Sequence, residues 1–236
     1  MACMESHWLD PLFKNPADTP VSLEKAVMIF DQLADSEEIF FFLADGCSAR
    51  AHIMGRQVSE LGLVPKKAWA FEGNRWDEDL RVSFAQQDIC WWFHVALALP
   101  VEMPDGTVTD MVFDPAIFDG PVTLETWGET INAHPDRREI IPFTALPTKY
   151  GDTLDKRSVA EKFTISHEND AKAAKTMEIW RDMIPPTESR RPVLATEARR
   201  NISPTCAGGK TWVTIPDSAK DPPQPAPPKD GTAPRP

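Results

Sequence analysis

The stretch WWFHVALALPVEMPDGTVTDMVFDP, from Trp91 to Pro115, decides the fold. Residues 91–101 are almost wholly apolar and rich in aromatic and aliphatic side chains, which is typical of a central strand with both faces buried. The tripeptide PDG at 104–106 is a strong turn signal, and residues 107–114 then alternate polar and apolar side chains as a returning strand does. The pattern therefore predicts an antiparallel ribbon at the centre of a sheet.

The register of this ribbon decides whether a histidine on one strand meets an aspartate on the other. If Met103 faces Thr107 across the turn, the numbers of paired residues sum to 210, and His94 lies diagonal to Asp114 on the same face. A sum of 208 would place His94 and Asp114 directly opposite each other. Either even sum therefore predicts that the imidazole and the carboxylate lie side by side.

Helical patterns accompany the ribbon. One helix begins at Leu23 behind the cap residue Ser22, a second opens at Cys47, and a third spans residues 168–184. Two short strands and an exposed loop are expected between residues 66 and 90. The apolar stripes of the three helices are Ala26, Ile29, Phe30 and Leu33, then Cys47, Ala51, Met54, Val58 and Leu61, and finally Ala173, Met177, Trp180 and Ile184. Helices combined with an antiparallel ribbon predict the α+β fold class.

Charge and composition limit the kinds of partner. The 236 residues suffice for one sizeable core, and their formal net charge is −11. Residues 185–236 hold eight basic and five acidic residues, so their net charge is +3. The chain before residue 185 therefore has a net charge of −14. Such an acidic body repels phosphate backbones, so no nucleic acid partner is expected. No apolar run approaches the length that spans a bilayer, and no classical signal peptide is visible at the N-terminus.

The four cysteines are scattered at positions 3, 47, 90 and 206 without a Cys-x-x-Cys pair. This spacing argues against a structural zinc site or a disulfide scaffold and suggests one reactive thiol in a chain that folds in a reducing compartment. Cys47 is the candidate, because it follows Asp-Gly and opens a helix. Its sulfur then lies near unpaired backbone N–H groups and the positive end of the helix dipole, which favour the nucleophilic thiolate. A buried, inert cysteine is the structural alternative.

His94 and Asp114 are the candidate partners of Cys47. An imidazole in an apolar strand costs free energy unless its nitrogens find partners, and a carboxylate at the end of the returning strand can fix its tautomer and support the imidazolium. A satisfied core histidine is the alternative, and Asp119 or Asp88 could take the third position. A metal site made of the same three side chains would lack a close pair of ligands, so neither a metal nor another cofactor is expected.

The remaining histidines and one aspartate look less suited to catalysis. Asp45 is expected to cap the second helix, and His52 lies off its buried stripe and is expected to be exposed. His7, His134 and His167 sit in polar stretches and are expected at the surface.

The segments DGCSARAHIM at 45–54, WFHVA at 92–96 and FDPAIF at 113–118 together resemble the bacterial protein-glutaminase family, also called protein-glutamine deamidases. DGCSARAHIM at 45–54 is similar to the nucleophile segment of that family, and WFHVA at 92–96 is similar to its histidine strand. FDPAIF at 113–118, running on to GPV at 120–122, is similar to its aspartate segment. The order Cys, His, Asp agrees as well, and the resemblance covers residues 24–130.

The resemblance implies a core like that of transglutaminases and papain-like proteases, in which a helix carrying Cys packs on an antiparallel sheet carrying His and Asp. It also implies hydrolysis of a glutamine side-chain amide in a protein substrate, giving glutamate and ammonia. By this likeness Cys47 attacks the carboxamide, His94 protonates the departing ammonia and then activates water against a thioester, and Asp114 orients His94. The backbone N–H of Cys47 would be one oxyanion donor.

Composition divides the chain into a loose lead-in over residues 1–20, a catalytic domain over residues 21–184 and a Pro-rich tail over residues 185–236. Eight of the last 21 residues are Pro, so the tail is expected to be extended or disordered and could bind an aromatic-lined groove of a partner. Members of the resembled family carry a secretion signal and an inhibitory pro-segment, whereas only 46 residues precede Cys47 here. The expected settings are therefore the cytoplasm, delivery as an effector, or part of a toxin acting on Gln or Asn.

Two other functions stay open at this point. The same three side chains serve a cysteine protease or a transglutaminase-like acyltransferase, because thioester formation is shared and only the acceptor and the substrate fit differ. A non-enzymatic interaction module that retains the fold is the second alternative.

Overall fold

The computed structural model describes residues 19–39, 46–72, 80–84, 87–149 and 167–183. Its elements are, in chain order, β1 (Val21–Ser22), α1 (Leu23–Ala34), α2 (Cys47–Glu60), β2 (Lys66–Phe71), β3 (Leu80–Phe84), β4 (Gln87–Trp91), β5 (Phe93–Glu102), β6 (Val108–Phe113), β7 (Val122–Thr123), α3 (Leu124–Thr130), a 3-10 turn (Pro135–Arg137), β8 (Arg138–Pro142) and α4 (His167–Met183).

Strand β5 is the centre of a six-stranded, mostly antiparallel sheet, as its apolar sequence predicts. The strands lie in the order β7-β6-β5-β2-β8, and β1 runs parallel to the far end of β5. Leu97 faces Phe113 across the β5–β6 ribbon, so the register sum is 210, which is one of the two even sums expected. The Met103 N–H donates to the Thr107 carbonyl at 2.8 Å and closes the turn. Strands β3 and β4 form a separate two-stranded ribbon.

Helix α1 begins and packs as its sequence predicts. The Ser22 hydroxyl accepts the Lys25 N–H at 3.2 Å and satisfies one of the free donors of the first turn. The predicted stripe of α1 is buried, and the ring of Phe30 lies 6.1 Å from that of Phe113 at the end of β6. Aromatic contact across this interface therefore joins α1 to the ribbon.

Helix α2 is the most enclosed helix of the described part of the chain. Its residues from Cys47 to Gly55 are all buried, because both β5 and α4 pack against it. Gly55 has no room for a side chain, since a Cβ there would collide with the ring of Phe143. The predicted stripe of α4 is confirmed at Ala173, Met177 and Trp180, which are fully buried.

The structure also departs from the sequence expectations. Residues 66–91 form three strands rather than two, and α3 and β8 arise where no regular element was expected. Leu61 is 54% exposed instead of buried, because α2 ends at Glu60 and Leu61 is its C-cap. The expected Pro-rich tail and almost all of the expected lead-in lie outside the described residues. No helix within the described ranges is both long enough and apolar enough to cross a membrane.

Candidate active site

Cys47 is the first residue of α2, and its thiol is free. Gly46 precedes it as the N-cap with φ of 77°, in the left-handed region that favours glycine. The N-cap is therefore Gly46 and not Asp45, and the first-turn N–H groups donate no hydrogen bond to an N-cap side chain. Cys47 is only 6% exposed, so little more than one edge of it meets solvent.

His94 and Asp114 form a buried hydrogen-bonded pair. The distance from His94 Nε2 to Asp114 Oδ2 is 2.8 Å, and both side chains are almost completely buried. The ribbon register explains the meeting, because pairing of Leu97 with Phe113 carries His94 to the diagonal of the residue just beyond β6. The structure thus brings these two predicted site residues together.

Two tryptophans enclose the imidazole of His94. The ring of Trp91 lies 4.6 Å from it at an interplanar angle of 24°, and that of Trp127 lies 5.7 Å from it at 26°. Trp127 Nε1 also donates a hydrogen bond of 3.0 Å to Asp114 Oδ2. Trp127 was not predicted as a site residue, because the seven-residue helix α3 that holds it is too short to show a helical period.

The charges of this pair stabilise each other. Burial alone would lower the pKa of His94, but the Asp114 carboxylate and the Cys47 thiol outweigh burial and raise this pKa to about 9. Burial would raise the pKa of Asp114, but His94, the Arg50 guanidinium and the Trp127 N–H hold it below its usual range. At neutral pH an imidazolium therefore lies beside a carboxylate.

The Cys47 thiol is the second group that affects the His94 imidazole. The Cys47 thiol acts on His94 both as a hydrogen-bonding partner and as a charge, and both effects raise the pKa of the imidazole. Because Asp114 engages Nε2, Nδ1 is the nitrogen left for the thiol. Within the described residues Nδ1 makes no hydrogen bond of standard geometry. The His94 imidazole is therefore bonded to the Asp114 carboxylate through Nε2, while the Cys47 thiol influences its pKa.

An apolar cluster surrounds the sulfur. Trp69 and Phe71 of β2 stack with ring centroids 5.9 Å apart and planes within 1° of parallel. The cluster consists of Cys47, Ala51, Trp69, Phe71 and Val95, with the half-buried Phe93 and Ile141 packed against it. Apolar surroundings lower the local dielectric and strengthen the interaction between the sulfur and the imidazole.

The expectation that His52 is exposed was wrong, because the structure buries it completely. Its Nε2 lies 2.5 Å from Asp170 Oδ1 on α4, a residue 118 positions away that the sequence could not place. Burial lowers the pKa of His52 even though Asp170 acts in the opposite direction. His134 and Asp119 are exposed, and the side chains of His7, Asp88 and His167 lie outside the described residues.

The expectation for Cys90 was also wrong: it is disulfide-bonded and not a free cysteine outside the site. Two cysteines far apart in sequence can pair without any spacing signature, so no pattern in the sequence indicated this bond. No cluster of three or more metal-ligating side chains occurs in the ranges that the structure describes.

The fold and the site define a class of protein, an α+β domain in which a cysteine at a helix tip lies beside a histidine–aspartate pair of an antiparallel sheet. Residues 26–131 match the protein-family model described as glutaminase. Over this stretch the chain is similar to the glutaminase family, and the match supports an enzyme of the protein-glutamine deamidase kind, as the three motifs predict. No curated protein matches the chain in sequence.

Solved structures of protein-glutaminases share the fold. The NMR structure of protein-glutaminase from Chryseobacterium proteolyticum superposes with a TM-score of 0.54 at 19% identity, over 69% of this chain and 88% of that one. A crystal structure of protein-glutaminase gives 0.56 at 18% identity, over 76% and 98%. A crystal structure of pro-protein-glutaminase gives 0.51 at 18% identity, over 69% and 60%. At such identities the likeness concerns the fold, and it confirms the predicted α+β class.

Proposed function

We propose that the chain hydrolyses the side-chain carboxamide of glutamine in protein substrates, with Cys47 as nucleophile, His94 as proton carrier and Asp114 as the partner of His94. One observation carries the proposal: two side chains influence His94. Its Nε2 lies 2.8 Å from Asp114 Oδ2, and the Cys47 thiol raises the pKa of the same ring. The glutaminase family match supports the reaction, and the geometry supports this assignment of roles.

In the acylation step the thiol proton resides on His94 Nδ1, and the Cys47 sulfur attacks the carboxamide carbon. The carbonyl oxygen takes up the negative charge of the tetrahedral intermediate. His94 then gives its proton to the amide nitrogen, the C–N bond breaks, and ammonia leaves a thioester on the sulfur. Asp114 stabilises the imidazolium throughout, because its carboxylate stays hydrogen-bonded to Nε2.

In the deacylation step His94 Nδ1 takes a proton from water, and the resulting hydroxide attacks the thioester carbon. The C–S bond breaks, the thiol proton is restored, and the product is a glutamate side chain. The balance is one carboxamide and one water consumed for one carboxylate and one ammonium formed. All proton transfers pass through one imidazole, so no metal enters the proposal.

The oxyanion lies, in this proposal, at the N-terminus of α2. The N-cap residue Gly46 has no side chain that could accept from the first-turn N–H groups. The Gly46 carbonyl accepts from the Arg50 N–H at 2.9 Å, four residues further along α2, and not from the Cys47 N–H. The backbone N–H of Cys47 is thus suited to donate to the developing negative charge, with support from the helix dipole.

The enclosure of the sulfur favours a side-chain amide over a main-chain peptide bond. Cys47 is 6% exposed, so the carbonyl that its sulfur attacks must be carried by a slender group. A glutamine side chain extends its carboxamide on two methylenes, whereas a peptide bond has bulky chain on both sides. Asparagine is one methylene shorter, so we propose it as a slower substrate of the same site.

Three further proposals rest on the sequence alone. They are that residues 21–184 are the catalytic unit, that the Pro-rich tail of residues 185–236 binds a partner, and that the chain works as a delivered effector or toxin. Expression of residues 21–184 with a product assay, pull-down with the tail peptide, and a translocation assay test them separately.

A product assay tests the proposed function. The purified chain is incubated with a Gln-rich unfolded protein, and ammonia and the mass of the substrate are measured. We expect ammonia release with intact substrate chains and a mass change equal to replacement of NH₂ by OH at each modified residue. Cys47→Ala should release no ammonia, whereas Ser48→Ala, at the next buried position of α2, should keep the wild-type rate.

Other outcomes of this assay favour the alternative functions. Shortened substrate chains would indicate a protease. Ammonia released only when an amine is added, with tagged or cross-linked substrate, would indicate acyl transfer. Silence of the wild-type protein on several unfolded and folded substrates would favour a binding module.

A further inference from the structure

We propose that Trp127 is a positioning residue of this site, which fixes the Asp114 carboxylate and thereby the orientation of His94. The inference rests on the proposed roles of Cys47 and His94. Two N–H donors converge on one oxygen, because Asp114 Oδ2 accepts from His94 Nε2 at 2.8 Å and from Trp127 Nε1 at 3.0 Å. Trp127 is completely buried, so solvent does not compete for either bond.

The same indole also restrains the imidazole directly. The rings of Trp127 and His94 lie nearly parallel, with centroids 5.7 Å apart, while Trp91 stacks on the imidazole at 4.6 Å. A 180° flip of the His94 ring would put carbon atoms in the places of Nδ1 and Nε2, so the bond to Asp114 would be lost and no nitrogen would face Cys47. The indole therefore acts twice, by holding the acceptor of Nε2 and by limiting rotation of the ring.

The position of Trp127 is itself fixed by contacts along α3. The Thr123 hydroxyl accepts the Thr126 N–H at 3.1 Å and caps the helix. Arg138 of β8 donates to the Glu125 carbonyl at 2.9 Å and fills the space at Gly128, where a Cβ would collide with its guanidinium. These contacts tie the helix to β7 and β8. The short helix is therefore a rigid support for one side chain.

A neutral donor suits this role better than a charged one. A second carboxylate near Asp114 would compete for the proton of His94, and a lysine or arginine in direct contact would draw the carboxylate away from the imidazole. An indole N–H cannot ionise and cannot accept a hydrogen bond, so it stabilises the carboxylate and leaves the proton of Nε2 to His94.

Two substitutions at Trp127 test the role. Trp127→Phe removes the N–H and part of the volume, whereas β-(3-benzothienyl)alanine at 127 keeps the shape and replaces the N–H by sulfur. Both should lower kcat about ten- to a hundred-fold with KM unchanged, because a hydrogen bond to a buried charge is lost in the catalytic machinery. Leu33→Ala, in the buried stripe of α1, is the stability-matched control and should lose thermal stability but keep kcat.

A readout independent of turnover completes the test. Asp114 is titrated by carbon NMR of carboxyl-labelled aspartate, with its signal assigned by its absence in Asp114→Asn. In both variants the Asp114 midpoint should move to higher pH than in the wild type, because one donor to the carboxylate is gone. A wild-type midpoint together with wild-type kcat in the benzothienyl variant would overturn the role, and so would a kcat loss that merely follows melting temperature as in Leu33→Ala.

Failure of the two proposals can be told apart. If the wild-type protein releases no ammonia, the proposed function fails, but the Asp114 titration still decides whether Trp127 holds the carboxylate. If the wild-type protein is active and neither measurement responds at position 127, only the positioning role fails.

Discussion

His94 and Asp114 are joined by a hydrogen bond of 2.8 Å between Nε2 and Oδ2, although 20 residues of chain lie between their positions. The bond follows from the register of the β5–β6 ribbon, and its consequence is chemical. It commits the proton of Nε2 to Asp114, so in the proposed mechanism Nδ1 is the nitrogen that exchanges a proton with Cys47.

Replacing the carboxylate by an amide should disable this exchange. In Asp114→Asn the side-chain NH₂ can face Nε2, which leaves the proton on Nδ1 and prevents it from accepting the thiol proton. We expect kcat to fall roughly a thousand-fold or more, with only a modest loss of thermal stability because the size is kept. Asp119→Asn is the matched control on an exposed carboxylate and should be nearly neutral. The reverse result would transfer the role to Asp119.

The raised pKa of His94 gives a pH dependence of stability. The folded pKa of about 9 lies above the ordinary value of 6.5, so the folded state holds this proton more tightly than the unfolded chain. The stabilisation is complete below pH 6.5 and is lost as pH rises through about 9. Denaturant titrations should therefore show wild type losing stability relative to His94→Gln across this window. A constant difference between the two proteins would contradict the imidazolium–carboxylate pair.

Lys67 should show the opposite dependence. It is 2% exposed on β2, with its ammonium 4.3 Å from the centroid of the Phe143 ring, and burial lowers its pKa to about 7. Because the folded pKa lies below the ordinary 10.5, stability is lost as pH falls from 10.5 through about 7.

A substitution at Lys67 isolates this contribution. We expect Lys67→Met to raise the free energy of unfolding at pH 7 by about 1–4 kcal/mol, since it fills a similar volume without a buried charge. The gain should shrink towards pH 10.5 in the same denaturant titrations. A Lys67→Met protein less stable than wild type at pH 7 would show that the ammonium is stabilised where it lies.

Alanine substitutions at Gly46 and Gly106 distinguish the effect of backbone strain on stability from the effect of site geometry on turnover. Both have positive φ, at 77° and 83°, but a Cβ at Gly46 would lie 3.1 Å from Met177 Cε and 3.5 Å from Trp180 Cδ1, whereas one at Gly106 meets nothing within 4 Å. Alanine at either position should cost about 1–2 kcal/mol from the left-handed conformation.

Only the substitution at Gly46 should also affect turnover. Gly46→Ala should displace the Met177 side chain and shift the start of α2 with Cys47, and it should lower kcat about ten-fold or more. Gly106→Ala should leave kcat unchanged. Melting curves and ammonia release measured on both variants test this, and equal kcat in the two would mean that the packing of α4 on Gly46 does not position the nucleophile.

The ribbon and, except for Leu61, the helix stripes described by the structure could be predicted from the sequence, because each depends on local pattern. The two-residue period of the strands and the turn at 104–106 define the register, and that register is enough to bring His94 to Asp114. The cap residue Ser22 could also be predicted, because it directly precedes the apolar stripe of α1. The stripe of α4 could be predicted because steps of three and four repeat within a single segment.

The remaining features depend on contacts between distant segments and leave no local pattern. His52 is buried because α4, more than a hundred residues away in sequence, covers it with Asp170. Trp127 reaches Asp114 only because the short helix α3 follows β7 on the edge of the sheet. The pairing of Cys90 is of the same kind, since cysteine spacing says nothing about which cysteines meet.

The most direct test of the account is the rate at which iodoacetamide alkylates Cys47 as a function of pH, in wild type and in His94→Gln, with the adduct located by peptide mass spectrometry. If His94 takes the thiol proton, wild-type Cys47 reacts rapidly at pH values where the His94→Gln protein reacts slowly, and the two pH profiles differ in shape. Superimposable profiles would contradict the account, because the imidazole would then have no influence on the sulfur.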